Sequence, residues 1–132
     1  MTNTETIKAF YAAFAQGNIP FIIDGISEEF TWKDPSNPSI VPFGGSYEGK
    51  KGMMDFFHNI GENVNTTLFQ VEDYVSENGT IVASGKHGFQ AKETGKAALL
   101  EWTMIWKFKN GIPVSGHSYY NNAEAEKAFS KQ

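Results

Sequence analysis

Apolar residues recur at helical spacing in the first half of the chain, and they alternate with polar residues in the second half. Thr2 and Glu5 match a capping box, and the apolar positions that follow predict a first helix. Pro20 is a typical first residue of a second, short helix. A third helix is predicted to begin near Gly49 and to end at Gly61, because glycine is a common helix terminator.

The second half has the two-residue period of β-strands. Asn78-Gly79 and Asn110-Gly111 are strong hairpin turns, so this part of the chain is predicted to be a meander. The pattern predicts four strands, at residues 66–76, 80–91, 97–109 and 112–121. An earlier strand surrounds Trp32, a loop follows from Pro35 to Gly45, and a last short helix is predicted at residues 122–129.

Glycines interrupt the strand patterns, as at Gly85 and Gly88, and glycine inside a strand marks a bend, a bulge or a close approach. The strand that carries Trp102 and Trp106 has one markedly apolar side, which should face the helices. Helices followed by a meander indicate one α+β domain over residues 1–132. A strongly bent antiparallel sheet wrapped around three helices would give a cone-shaped barrel with one deep apolar pocket.

Aromatic rings are the unusual feature of the composition. The chain has 11 Phe, 5 Tyr and 3 Trp, which together are 14% of its residues. So many rings can fill a core, but they can also line a cavity for an apolar ligand. The net charge is −4 without any basic block, so neither nucleic acid nor an anionic membrane is expected as a partner.

Several classes of site are excluded or disfavoured by the residues that the chain lacks. It has no cysteine, which excludes disulfides, a thiol nucleophile and thiolate metal sites. Its histidines are 29 and 30 residues apart, so no metal site is expected, and no cofactor motif is present. The first residues do not form a signal peptide, and the apolar stretch at residues 19–26 is too short to span a bilayer. We therefore expect a cytoplasmic protein.

Asp34 is the most informative residue of the sequence. Phe30, Trp32 and Asp34 share one face of the predicted strand, which puts a titratable acid on the apolar side just before Pro35. Loss of hydration there would raise the pKa of Asp34 and allow proton exchange near neutral pH. The alternative is that Asp34-Pro35 merely opens a turn.

His87 shares one face of its predicted strand with Phe89, and the family resemblance carried by the segments given below implies that this face points into the pocket. It could orient Asp34, share a proton with it, or donate a hydrogen bond to a substrate. The alternative is a core histidine that satisfies one buried carbonyl group.

The last strand offers further polar candidates. Ser118 and Tyr120 are predicted to line the cone, whereas His117 is predicted to face the outer surface of the sheet. A one-residue bulge at Gly116 would reverse this assignment.

Four segments of the chain follow one another in a characteristic order: Phe10–Asn18, Phe30–Pro35, Val41–Gly49 leading to Phe56-Phe57, and Trp102–Gly111 with the strand after it. In this order and spacing the chain resembles the nuclear transport factor 2-like superfamily, and within it the SnoaL-like and ketosteroid-isomerase-related proteins. The resemblance covers nearly the whole chain. It implies a cone of about six antiparallel strands and three helices around a deep apolar pocket, and a homodimer formed through the outer face of the sheet.

The resemblance implies less about activity, because the superfamily hosts isomerases, cyclases, dehydratases, epoxide hydrolases and non-catalytic binders. In ketosteroid isomerase an Asp base works with a Tyr and a protonated Asp. Asp34 falls on the position of the base. Phe10, with Tyr11 adjacent, falls on the position of the tyrosine, and the protonated Asp falls on or near Met104. An Asp that often closes the last strand in SnoaL-like sequences corresponds to Asn121.

The leading hypothesis is therefore an enzyme or enzyme-like protein that needs no cofactor and binds a small apolar or aromatic molecule. Asp34 would abstract a proton from carbon or water, while His87 and a tyrosine such as Tyr11 would stabilise the developing charge. Double-bond isomerisation, aldol cyclisation and hydration or dehydration fit this chemistry. The alternative is a non-catalytic binder or a dimeric interaction module. The predicted substrate-binding residues are Phe14, Trp32, Phe57, Phe89, Trp102, Met104, Trp106, Ser118 and Tyr120.

Overall fold

The computed structural model describes residues 1–131, in which helices cover one side of a six-stranded sheet. The helices are α1 (Asn3–Ala15), α2 (Ile19–Gly25), α3 (Gly49–Asn63) and α4 (Asn122–Phe129). The strands are β1 (Thr31–Asp34), β2 (Gly45–Glu48), β3 (Val64–Glu77), β4 (Thr80–Ala91), β5 (Ala97–Lys109) and β6 (Ile112–Tyr119). Their order, β2-β1-β6-β5-β4-β3, makes a curved sheet that does not close on itself. The α+β class and the bent sheet are as predicted.

Local sequence signals explain most of the element boundaries. The Thr2 side chain accepts a hydrogen bond from the backbone of Glu5, and the Glu5 side chain accepts one from the backbone of Thr2, so the capping box is complete. In the β3–β4 turn, Asn78 and Gly79 have φ values of 48° and 77°. Two positive φ values in succession define the turn that matches the twist of a hairpin.

Two parts of the element pattern differ from the prediction. The edge strand β2 begins at Gly45, where the sequence predicted only the end of a loop. Helix α3 does not end at Gly61 but continues to Asn63 and passes directly into β3. Gly61 is exposed and no atom lies within 4 Å of the position that a Cβ atom would take, so no close approach requires glycine here. The short helix predicted at residues 122–129 is present as α4, so the described residues form four helices, as the sequence pattern indicates.

Irregularities in β3 occur opposite the glycines that the sequence singled out. The pairing of β3 with β4 shifts register between Thr66 and Leu68, opposite Gly88, and again between Val71 and Asp73, next to Gly85. Each shift adds an unpaired residue to β3, which bends the strand and increases its twist. The prediction that these glycines mark bends is confirmed.

The pairing of β1 with β6 joins the two halves of the chain. It is the one parallel pair of a sheet that is otherwise antiparallel. Trp32 lies opposite Gly116 in this pair, and a Cβ atom on Gly116 would lie 2.5 Å from Cε3 and Cζ3 of the Trp32 indole. Gly116 is therefore a site of close approach, which allows Trp32 to lie against β6.

The core lies between the inner face of the sheet and the helices. Leu100, Trp102 and Trp106 are buried on the inner side of β5, which confirms that the apolar side of this strand faces the helices. At one end of the sheet, Phe129 of α4 packs against Phe43 and Phe89. No helix in residues 1–131 is long and apolar enough to cross a membrane.

Candidate functional site

A cavity opens between the inner face of the sheet and helices α1 and α3. Its volume is about 70 Å³, which is room for a few waters or for part of a small organic molecule. Its walls are mostly aromatic and aliphatic. Asp34, His87 and Ser118 contribute polar groups, as do the hydroxyls of Tyr11 and Tyr120.

Every residue that the sequence predicted for the site lines this cavity, with the exception of Phe89. Phe89 is fully buried and packs against Phe43, Phe129 and the ring of His87. It therefore belongs to the core behind the cavity wall and supports His87 from that side.

Asp34 is positioned by the last residue pair of β1. It lies opposite Gly45 of β2, and its side chain is on the inner face together with that of Trp32. Only 7% of Asp34 is exposed. The two-residue period of the strand thus places a carboxyl group among rings, as the sequence predicted.

Hydrogen bonds hold the Asp34 carboxyl group through one of its two oxygens. Asp34 Oδ1 accepts a hydrogen bond from the Tyr120 hydroxyl at 2.5 Å and another from the backbone N–H of Ser36 at 3.1 Å. The Ser36 hydroxyl lies 2.6 Å from the Tyr120 hydroxyl, so Ser36 donates to Tyr120 when Tyr120 donates to Asp34. Among residues 1–131, no hydrogen bond occupies Oδ2 of Asp34. Asp34 therefore forms the turn and also lines the cavity.

The environment of Asp34 shifts its titration toward neutral pH. Burial raises the pKa of Asp34 to about 6, although the hydrogen bonds from Tyr120 and Ser36 act in the opposite direction. Burial and the nearby carboxylate raise the pKa of Tyr120, which therefore remains a hydrogen-bond donor. A carboxyl group with a pKa about one unit below neutral is mostly ionised at pH 7 and can still hold a transferred proton.

His87 lies in the same cavity but has a different partner. Its Nε2 is 3.0 Å from the Thr66 hydroxyl, and burial lowers the pKa of His87 to about 4. The imidazole is therefore neutral at physiological pH. The structure pairs Asp34 with Tyr120, not with His87, and the shared proton between Asp34 and His87 that the sequence suggested has no hydrogen bond to carry it.

Tyr11 has both of its hydrogen-bonding functions occupied. Its oxygen accepts a hydrogen bond from Trp106 Nε1 at 3.0 Å, and its hydroxyl donates to the sulfur of Met104 at 3.2 Å. Burial raises the pKa of Tyr11. This phenol is thus anchored in the wall, and it would have to leave Met104 before it could donate to a substrate.

Two residues that line the cavity carry a buried N–H group without an acceptor. Trp32 Nε1 and Trp102 Nε1 are buried and make no hydrogen bond within the described residues. A buried N–H group without an acceptor costs about 1–3 kcal/mol of stability, so such groups are rare in folded proteins. No pattern in the sequence indicates these unpaired groups, because indole rings in a strand are usually core residues.

The histidine on the last strand lies outside the cavity. His117 stacks on Tyr119 with ring centroids 4.0 Å apart, and both side chains are on the outer face of the sheet. The irregular position of β6 is near Val114 and not at Gly116, so the predicted orientation of the last strand is confirmed. In residues 1–131 no cluster of His, Asp or Glu could hold a metal ion.

The comparisons with known proteins agree with this architecture. The sequence matches the SnoaL-like domain over residues 7–114, and the chain belongs to this family, which is part of the NTF2-like superfamily. No curated protein matches the sequence significantly.

Solved structures share the fold at low sequence identity. An NTF2-like protein of unknown function from Burkholderia pseudomallei is 22% identical, with a TM-score of 0.88 over 98% of this chain and 99% of that one. A candidate isomerase from Bacillus subtilis is 19% identical, with a TM-score of 0.80 over 100% and 98% of the two chains. A candidate SnoaL-like polyketide cyclase from Mesorhizobium loti is 18% identical, with a TM-score of 0.75 over 91% and 100%.

The two shifted groups of the cavity should have opposite effects on the pH dependence of stability. The pKa of Asp34 is higher in the folded protein than the usual value of about 3.9, so its contribution makes the free energy of unfolding fall from about pH 4 to about pH 6. The pKa of His87 is lower than the usual value of about 6.5, so its contribution makes the free energy of unfolding rise over nearly the same range. In the parent protein the two contributions should largely cancel.

Single substitutions should therefore reveal opposite slopes in urea unfolding between about pH 4 and about pH 7. Asp34→Asn should give a protein whose stability rises with pH, and His87→Gln one whose stability falls with pH. The exposed residues Asp24 and His58 provide the matched controls, Asp24→Asn and His58→Gln, which should keep the slope of the parent. Equal slopes for the two cavity variants would contradict the assignment of the shifts.

Tyr120→Phe should raise the pKa of Asp34 further. The substitution removes the hydroxyl that donates to Oδ1, and a hydrogen bond to the charged form lowers a carboxyl pKa. The expected rise is about one pH unit, measured by carbon-13 NMR titration of the Asp34 carboxyl group. Tyr119→Phe removes a neighbouring hydroxyl on the outer face and should leave this titration unchanged. A fall in the pKa on Tyr120→Phe would count against the donor role of Tyr120.

Proposed function

We propose that this protein binds a small apolar or aromatic molecule in the cavity and moves a proton on it, with Asp34 as general base. The observation that carries the proposal is the single buried carboxyl group in a ring-lined cavity, with one oxygen fixed by Tyr120 and Ser36 and the other without a partner. Double-bond isomerisation, aldol cyclisation and hydration or dehydration all require such a base.

Each part of the site has a role in this proposal. Oδ2 of Asp34 receives the proton, and Tyr120 keeps the carboxyl group in one orientation throughout. The rings of Trp32, Trp102 and Trp106 provide apolar contact area and exclude water, which strengthens electrostatic effects inside the cavity. The similarity in fold to a candidate isomerase and a candidate polyketide cyclase is consistent with proton-transfer chemistry at this place.

A non-catalytic binder is the alternative, and one observation favours it. The hydroxyl protons of Tyr11 and Tyr120 are engaged by Met104 and Asp34, so neither tyrosine has a free proton for a substrate oxygen. A cavity with a base but without a free hydrogen-bond donor cannot stabilise the negative charge that develops on a substrate, so it would bind a molecule without activating it.

The proposal is tested by identifying what the cavity holds. Native mass spectrometry of the freshly purified protein, followed by extraction, would reveal a retained small molecule and its chemical class. We expect a compound with ring or alkyl surface and at least one weakly acidic C–H or O–H group. A site that takes up no apolar molecule, either on purification or from a screened fragment library, would overturn the proposal.

The homodimer remains a prediction. The outer face of the meander is a mixed surface with rings of the kind found at interfaces, made by Glu101, Thr103, Ile105, His117 and Tyr119. We expect a dimeric mass in light scattering at micromolar concentration, and Tyr119→Lys should weaken the dimer. Met54→Lys changes an exposed residue of α3 and is the matched control. A monomeric mass for the parent protein, independent of salt, would contradict the prediction.

A further inference from the structure

The cavity has a closed end and an open end. At the closed end Trp32, Asp34 and Ser118 are only 2%, 7% and 3% exposed. Other lining residues are half-buried, and five of these adjoin one another on α1, α3, β3 and β4: Phe14, Phe57, Ile60, Phe69 and His87. We call these five residues the mouth group, because they lie where the cavity meets solvent.

His87 is the polar member of the mouth group, and only one of its two ring nitrogens has a partner. The imidazole lies between Phe69 and Phe89, at centroid distances of 5.8 Å and 5.3 Å, and Nε2 is 3.0 Å from the Thr66 hydroxyl. Within residues 1–131, Nδ1 makes no hydrogen bond, and it is not one of the unpartnered atoms that are wholly buried. A ligand can therefore reach this nitrogen.

Asp34 and His87 are at opposite ends of the cavity. The register of β1 with β6 places Asp34 level with Ser118, which lies opposite Met104 of β5. Met104 in turn lies opposite Ala83 of β4, four residues before His87. Three strand spacings and four residues correspond to about 14 Å across a flat sheet and about 13 Å along it. Curvature shortens this separation, but one functional group of a ligand cannot contact both side chains.

The size of the cavity determines how a ring compound would lie in it. The volume of about 70 Å³ is less than half of the roughly 150 Å³ that takes up a whole benzene molecule. A ring compound that reaches Asp34 with one end must therefore extend into the mouth, and its other end then lies beside His87.

The charges of the cavity limit what that outer end can be. The chain contains no arginine, no lysine lines the cavity, and His87 is neutral at physiological pH because burial lowers its pKa. An anionic group would lack a cation to offset its charge. Nδ1 accepts a hydrogen bond if Nε2 donates to Thr66, and donates one if Nε2 accepts from Thr66. A hydroxyl group suits either tautomer, since it both donates and accepts.

From these observations we propose that His87 Nδ1 forms a hydrogen bond with a hydroxyl group at the outer end of the bound molecule, while Asp34 meets the inner end. The ligand is thus an uncharged, elongated ring compound with polar groups at two opposite ends. This inference rests on the proposed function, because it uses the same cavity, and it adds the shape of the ligand and a residue that selects it.

The test compares naphthalene with two of its diols. The hydroxyl groups are at opposite ends of 2,6-dihydroxynaphthalene and at the same end of 2,3-dihydroxynaphthalene. We expect the 2,6-diol to bind about threefold to tenfold more tightly than the 2,3-diol, which corresponds to one neutral hydrogen bond. In protein labelled with nitrogen-15 histidine, the 2,6-diol should move the Nδ1 signal of His87 further than naphthalene does, since naphthalene measures the effect of the ring alone.

His87→Phe separates hydrogen bonding from packing. The variant keeps a ring between Phe69 and Phe89 but has no nitrogen, so it should lose the preference for the 2,6-diol and still bind naphthalene as the parent does. His58→Phe makes the same change at an exposed position of α3 and should keep the preference. If His87→Phe does not fold, the nitrogen-15 signals of the parent protein decide.

The outcomes separate this inference from the function on which it rests. If naphthalene binds but the parent protein does not distinguish the two diols and the Nδ1 signal stays in place, the inference is wrong and the proposed base and cavity remain. A preference that persists in His87→Phe would overturn the assignment to His87. Failure of naphthalene and of both diols to bind would overturn the inference together with the proposed apolar site.

Discussion

Asp34→Asn is expected to reduce proton transfer by about 100-fold or more while the protein keeps its fold and its ligand. Asn has the shape of Asp, and its carbonyl oxygen can still accept from Tyr120 and from the Ser36 backbone. What it lacks is the basic oxygen. A direct measurement uses indanone, a small bicyclic ketone, as a probe: NMR follows the incorporation of deuterium at the carbon next to its carbonyl group in heavy water.

The exposed aspartate of α2 provides the control. Asp24→Asn makes the same chemical change outside the cavity and should exchange deuterium at the rate of the parent protein. Equal rates for Asp34→Asn and the parent, with indanone bound in both, would remove Asp34 from the role of base. The cavity would then be that of a non-catalytic binder.

Trp32→Ala is expected to lower the free energy of unfolding by about 3–5 kcal/mol. Trp32 is 2% exposed and packs against Gly116, Phe56 and Trp106, so its removal would leave a void at the junction of β1 with β6. Urea unfolding measures the loss, and binding of an apolar probe should be lost as well. Leu99→Ala, at a side chain that is 58% exposed, should change stability by less than about 0.5 kcal/mol.

The size of the loss distinguishes two roles for Trp32. A much smaller loss of stability combined with loss of binding would mean that the ring mainly bounds the cavity and contributes little to the core. No change in either property would contradict its placement on the inner face of the sheet.

The side on which each strand residue lies could be predicted from sequence, because alternation along a strand is a local property. Asp34 and Ser118 were assigned to the inner face from alternation, and His87 from the family resemblance, and each lines the cavity. The long strands β4 and β5 were also predicted with their observed bounds, since strong hairpin turns delimit them. The short strand β2 was not predicted, because its four residues do not alternate between apolar and polar and therefore do not show the two-residue period of a strand.

The partners of the polar groups could not be predicted in the same way. The sequence suggested His87 as the companion of Asp34, whereas Tyr120 has that position. Which inward-facing residues meet depends on the order and curvature of the strands, and no local pattern contains that information. The turn that fixes Oδ1 could have been predicted from Asp34 itself. Aspartate side chains commonly accept a hydrogen bond from the backbone N–H two residues later, which here belongs to Ser36.

The hydrogen bond between Tyr120 and Asp34 joins residues that are 86 positions apart, and the parallel pairing of β1 with β6 closes the same long loop. Contacts of such high sequence separation are slow to form, because the chain entropy of a long loop must be lost before the contact is gained. In a chain without this contact Asp34 is a hydrated acid. The buried base therefore exists only in chains in which β1 has paired with β6, and the shifted titration of Asp34 reports that pairing in a refolding experiment.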